Sequence, residues 1–104
     1  MKAKIHFLIE GRVQGVGFRA FTKREADKLS LIGWVRNLRD GRVEGIALGK
    51  TESLEEFKKI LQKGPHLSRV DSFKIENWAV SLDDKESDFK ILQDGVHPCL
   101  EPLN

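Results

Sequence analysis

A chain of 104 residues, 39% hydrophobic and 33% charged, fits one compact domain with its own core and excludes a disordered chain. Its single cysteine, Cys99, excludes an intrachain disulfide framework and a C-x-x-C zinc pair, and fits a reducing, cytoplasmic setting. The net charge of +2 comes from interleaved acidic and basic residues. That is a weak bias toward anionic partners rather than the basic stripe of a nucleic-acid binder, and no apolar run reads as a signal peptide or a membrane span.

Ile5, Phe7 and Ile9 alternate with Lys4, His6 and Glu10, the period of a half-buried strand that ends at Gly11. Leu8 breaks the alternation, so part of the second face is expected to be covered too. From Arg19 to about Ser30, Phe21, Thr22, Ala26 and Leu29 share one face at helical spacing, with Glu25 inside the arc. Gly33 opens a second strand, Trp34 to Leu38. Asp40-Gly41 predicts a hairpin whose two turn positions both want positive φ. The third strand follows from Arg42 to Leu48, and Gly45 either weakens it or marks a bulge.

Thr51 to about Lys63 is predicted as the second helix, with Leu54, Phe57 and Leu61 as its core stripe. Ser53 and Glu56 have capping-box spacing, with Thr51 as a competing N-cap, and Gly64-Pro65 ends the helix. Val70, Phe73 and Ile75 predict a fourth strand running toward Trp78. Asp83 to Ser87 reads as a charged turn, and Phe89 and Ile91 as a short fifth strand. Residues 1–92 form the expected domain, and residues 93–104, with Gly95, Pro98 and Pro102, an irregular tail.

The expected class is therefore α+β. Split βαβ units in the order βαββαβ build an antiparallel sheet with two helices on one face, a ferredoxin-like sandwich, here with the short fifth strand added.

The connection from the first strand to the first helix, Arg12 to Phe18, is the candidate functional segment. Gly15 and Gly17 permit backbone torsions that turn several N–H groups inward as an anion nest, and the segment feeds a helix N-terminus. A connecting loop without a ligand is the plain alternative. Arg19 sits at the helix start, where the dipole disfavours a cation by about 0.3–1 kcal/mol. An anion lying between the two would reverse that, and a planar guanidinium grips two phosphate oxygens. Taken alone, Arg19 also reads as a surface residue, and Asn37 as a strand-end residue bonding the hairpin backbone.

The run Gly11-Arg12-Val13-Gln14-Gly15-Val16-Gly17-Phe18-Arg19 resembles the signature loop of acylphosphatases. Gly33-Trp34-Val35-Arg36-Asn37 with Asp40-Gly41-Arg42-Val43-Glu44-Gly45 is similar to the family's second motif, and Gly64-Pro65 with Val70 to its third landmark. The resemblance spans roughly residues 4–92. It implies a ferredoxin-like fold and hydrolysis of small-molecule acyl phosphates to a carboxylate and inorganic phosphate, with no metal or cofactor. It implies that Arg19 binds the phosphate and Asn37 orients the attacking water. Gln14, Gly15, Val16, Gly17 and Phe18 then supply the backbone phosphate cradle. The resemblance departs at Ser30-Leu31, where the family often has a glycine after the helix.

The chemistry of these side chains fits that reaction. Asn37 is neutral and holds a water without acting as a base. A site of this kind favours a leaving group that needs no acid, and a carboxylate, from an acid of pKa about 4, is one. Positioning and charge stabilisation remain, from Arg19 and backbone N–H groups. Water is expected to attack in line, with no phosphoenzyme. Inorganic phosphate is the expected product and competitive ligand, and the protein is expected to be a monomer without nucleic-acid or membrane partners.

Other residues invite less. His6, His66 and His97 share no ligand spacing, His97 with Cys99 makes a poor metal pair, and Trp34 and Trp78 read as core or sheet-face residues. An RNA-binding domain of the same fold class would stack bases on aromatics of its first and third strands, but Arg42 to Leu48 contains none, and only Phe7 stands on the first. A non-catalytic domain, like the one that opens some longer carbamoyl-phosphate-using maturation proteins, is the second rival. The chain's end at Asn104, with no zinc-finger motif, favours a free-standing enzyme.

Overall fold

A computed structural model describes residues 2–81 and 87–95. The greater part of the charged turn after Ser81, and the tail beyond Gly95 with His97 and Cys99, lie outside the described residues. The elements are β1 (Lys2–Arg12), α1 (Phe18–Lys28), β2 (Ile32–Asn37), β3 (Val43–Lys50), α2 (Thr51–Lys63), β4 (Arg69–Trp78) and β5 (Phe89–Ile91). The strands form one sheet in the order β4-β1-β3-β2-β5. The first four pair antiparallel, as the element order predicts. The fifth differs: β5 pairs parallel to β2, Gly33 opposite Phe89 and Val35 opposite Ile91, so the five-stranded sheet is mixed.

Register decides which side chains meet the helices. Ile5, Phe7 and Ile9 lie opposite Ala47, Gly45 and Val43, and these in turn lie opposite Gly33, Val35 and Asn37. One face of the sheet thus carries Ile5, Phe7, Ile9, Val35, Val43 and Ala47, all buried in a single core with Phe18 and Ala26 of α1 and Leu54, Phe57 and Leu61 of α2. Because side chains alternate along a strand, Asn37 falls on this helix-covered face at the far end of β2.

Gly45 marks no bulge, since the β1–β3 register runs through it unbroken. A Cβ there would overlap the ring of Phe7 and crowd the Trp34 carbonyl, so glycine is required by close approach. The irregularity lies instead in β1, between Glu10 and Gly11 where it pairs with β4.

Two local expectations change, and the departure at Ser30-Leu31 has a structural account. In the β2–β3 turn only Gly41 has positive φ (101°); Asp40 instead accepts a hydrogen bond from the Arg42 backbone N–H at 3.1 Å and pairs with the Arg42 guanidinium. The N-cap of α2 is Lys50, with no side-chain cap, so neither Thr51 nor Ser53 serves. At the end of α1, Ser30 N–H donates to Asp27 O and Leu31 N–H to Ala26 O, a Schellman closure. It holds Ser30 at φ 57°, a left-handed position usually given to glycine, so the serine carries backbone strain there.

Candidate active site

The β1–α1 loop closes through Gly15 (φ 74°) and Gly17 (φ 77°), both left-handed, and a Cβ at either would meet only open space. The demand for glycine here is therefore conformational. Gly17 is the N-cap of α1, and its carbonyl accepts from Phe21 N–H at 3.0 Å. No described group accepts a hydrogen bond from the N–H groups of Gly15 through Ala20. A run of donors before and within a first helical turn is a field of positive potential.

That loop forms one wall of a cavity of about 270 Å³, lined by Val13, Gln14, Gly15, Gly17, Phe18, Arg19, Ala20, Asn37 and Ile91. The structure thus brings five of the six expected phosphate-binding residues (Gln14, Gly15, Gly17, Phe18 and Arg19) to one cavity with Asn37. Val16, the sixth, does not line it; its side chain packs on the core. Phe18, the first residue of α1, lines the cavity and is buried with its ring edge-on to Phe21.

Arg19 is partly exposed, its side chain 38% accessible, at the mouth. Among the described residues its one charged partner is Asp94, Nη1 to Oδ1 3.5 Å. Asn37 is buried, and its Oδ1 accepts no hydrogen bond from any described group. A buried acceptor left unpaired costs about 1–3 kcal/mol, an expense that native structures confine to a few positions, functional ones among them.

Gln14 does more than contribute backbone. Its side-chain amide donates to Leu38 O at 2.7 Å and Arg42 O at 2.9 Å. Both acceptors flank the turn after Asn37, so the bonds fix the loop against the strand end opposite it. Two further residues escaped the motifs. Ile91 lines the cavity while 43% exposed, although its sequence pattern reads only as part of a short strand. Asp94 lies past the last periodic residue, in a stretch with no sequence signal for structure.

Elsewhere the chemistry is structural. His6 Nε2–H donates to buried Glu44 Oε2 at 2.7 Å and the ring stacks on Trp78, while Arg36 Nε donates to Glu44 Oε1 at 2.8 Å. This cluster occupies the sheet face away from the helices. Phe7, the aromatic an RNA-binding surface would need, is fully buried on the opposite face. Among the described residues no three His, Cys, Asp or Glu side chains gather as a metal-holding group, and no helix is long and apolar enough to cross a membrane.

The acylphosphatase family model matches residues 5–91. An acylphosphatase from Methylococcus capsulatus is 44% identical over 91 residues, covering 88% of this chain and 97% of that one. One from Legionella pneumophila is 58% identical over 69 residues, 66% of this chain and 76% of that one. The crystal structure of acylphosphatase from Bacillus subtilis superposes with a TM-score of 0.81 at 39% identity, covering 88% of this chain and 99% of that one.

Proposed function

We infer the residue roles from one premise: the chain belongs to the acylphosphatase family and hydrolyses acyl phosphates to a carboxylate and inorganic phosphate. The observation that carries the roles is the shared cavity. A loop of unclaimed N–H groups, the Arg19 guanidinium and the Asn37 amide converge on it from two stretches of chain.

The phosphoryl group of the substrate sits on the loop, its oxygens taking the N–H groups of residues 15–20 and the fork of Arg19. Charge on those oxygens in the transition state is met by donors that need no rearrangement, the most effective form of stabilisation in a water-poor site. Asn37 turns its amide about χ2 to hold a water in the cavity, which also relieves the unpaired Oδ1. That water attacks phosphorus in line with the departing carboxylate. The P–O bond to the acyl oxygen breaks, the electron pair leaves with the carboxylate, and the water's proton passes to solvent or a phosphate oxygen.

No metal enters this scheme. Backbone donors and Arg19 carry the charge that a cation would otherwise carry, and the leaving group needs no acid. The single cysteine supports a reducing, cytoplasmic setting.

The test is hydrolysis of a synthetic acyl phosphate by the purified protein with excess chelator, in water enriched in oxygen-18. Turnover is expected to persist undiminished, with label in inorganic phosphate and none in the carboxylate. Label in the carboxylate would mean attack at carbon, and loss of turnover with chelator would require a metal.

A further inference from the structure

We propose that Asp94 is a positioning residue that holds the Arg19 guanidinium in its phosphate-binding direction, an inference that rests on Arg19 as the phosphate ligand. From β5 to Gly95 the chain stays on the sheet. Leu92 N–H donates to Val35 O at 2.9 Å, Gly95 N–H to Asn37 O at 2.9 Å, and Arg39 N–H to Gly95 O at 2.8 Å. Gly95 also bridges Leu38 in the parallel sense. These bonds carry the β5 track along the whole end of β2 and past Asn37. They fix the backbone on both sides of Asp94, whose carboxylate lies 3.5 Å from Arg19 Nη1.

The direction of approach separates positioning from blockade. Asp94 does not line the cavity, whereas Arg19 does. The carboxylate therefore grips the guanidinium from outside. A guanidinium carries five donors, so one engaged at Nη1 leaves others for phosphate oxygens. A free arginine on a half-exposed helix turn samples many rotamers, and a carboxylate on an anchored backbone reduces that sampling before the substrate arrives. One segment thus braces both functional residues, Asn37 through its backbone carbonyl and Arg19 through its side chain.

Coulomb's law alone predicts the opposite effect on binding. A carboxylate near a phosphate repels it, so neutralising Asp94 would tighten substrate binding if the charge acted only through space. The sign of the change in KM decides between the two.

The experiment compares wild type, Asp94→Asn, Asp94→Glu and Arg19→Ala by steady-state hydrolysis of an acyl phosphate and by inhibition with inorganic phosphate. Asp94→Asn is expected to raise KM and the phosphate inhibition constant about two- to fivefold, the range of a partly exposed ion pair. The same variant is expected to leave kcat within twofold. Asp94→Glu, which keeps the carboxylate, is expected to recover at least half of the loss. An unchanged or lowered KM in Asp94→Asn overturns the proposal, as does an equal rise in Asp94→Glu. Arg19→Ala keeps the two claims apart. If it binds phosphate normally, the role of Arg19 itself falls. If it loses phosphate while Asp94→Asn does not, only the brace falls.

Discussion

The Gln14 side chain donates to the Leu38 carbonyl at 2.7 Å, and this bond joins the phosphate loop to the strand end that carries Asn37. Leu38 O also receives Gly41 N–H, and Arg42 O receives Leu38 N–H, so both acceptors keep a partner when Gln14 is lost. Gln14→Ala is therefore expected to cost only about 1–2 kcal/mol of stability for two hydrogen bonds. Loss of alignment costs far more: kcat/KM is expected to fall at least about tenfold, since small misplacements at a reacting centre have large effects. Steady-state kinetics beside urea unfolding measures both, and unchanged kinetics would remove the clamp from the account.

Gly45 lies under the Phe7 ring, which is itself edge-on to Phe57 at 5.9 Å between centroids. The ring cannot retreat without disturbing the helix layer. Gly45→Ala is expected to destabilise the fold by about 1–3 kcal/mol through overpacking. A urea midpoint equal to that of wild type would show that the core yields there.

Ser30 at φ 57° holds a conformation that costs a non-glycine residue about 1 kcal/mol. Ser30→Gly removes that strain and adds freedom to the unfolded chain, which takes back part of the gain. A net stabilisation of about 0.5 kcal/mol is expected in thermal or urea unfolding, with catalysis unchanged. A loss of stability would mean that the serine does more than close the helix.

The hydrogen bond from the Arg42 side chain holds the Asp40 carboxyl below the usual carboxylate range. A lowered folded pKa gives stability that is present above the unfolded value, about 3.9, and is lost as pH falls through the folded value. Both side chains are partly exposed, so Asp40→Asn is expected to cost less than about 1 kcal/mol at pH 7. The difference from wild type is expected to close as pH falls through that lowered folded value. Urea unfolding across pH checks this, and a gap that persists in acid would assign the loss to the turn backbone instead.

Much of this was legible because the sequence periods are clean. The spacing of Leu54, Phe57 and Leu61 placed α2 at its observed bounds, and the alternation of Ile5, Phe7 and Ile9 set the buried face of β1. Glycines at 15 and 17 signalled a loop with unusual torsions, and the family motif linked that loop to Asn37. What escaped were features made by contacts across the chain. Parallel pairing of β5 leaves no trace in a three-residue strand. The reach of Gln14 to Leu38 depends on tertiary proximity over 24 positions. Gly45 looked like a weak point because the Phe7 ring above it belongs to another strand. Asp94 sits in a stretch with no period, placed by backbone bonds of its neighbours to β2 and to Arg39.

The most direct test of the central claim is the steady-state kinetics of Arg19→Ala and Asn37→Ala with one acyl phosphate substrate. Arg19→Ala is expected to raise KM steeply and lower kcat/KM by about 10²–10³, the scale for loss of a transition-state charge donor. Asn37→Ala is expected to lower kcat by a similar factor with KM within a few-fold of wild type, because the water and not the phosphate loses its holder. Robust turnover in either variant, or a loss in Asn37→Ala that falls on KM alone, would contradict the division of labour between the two residues.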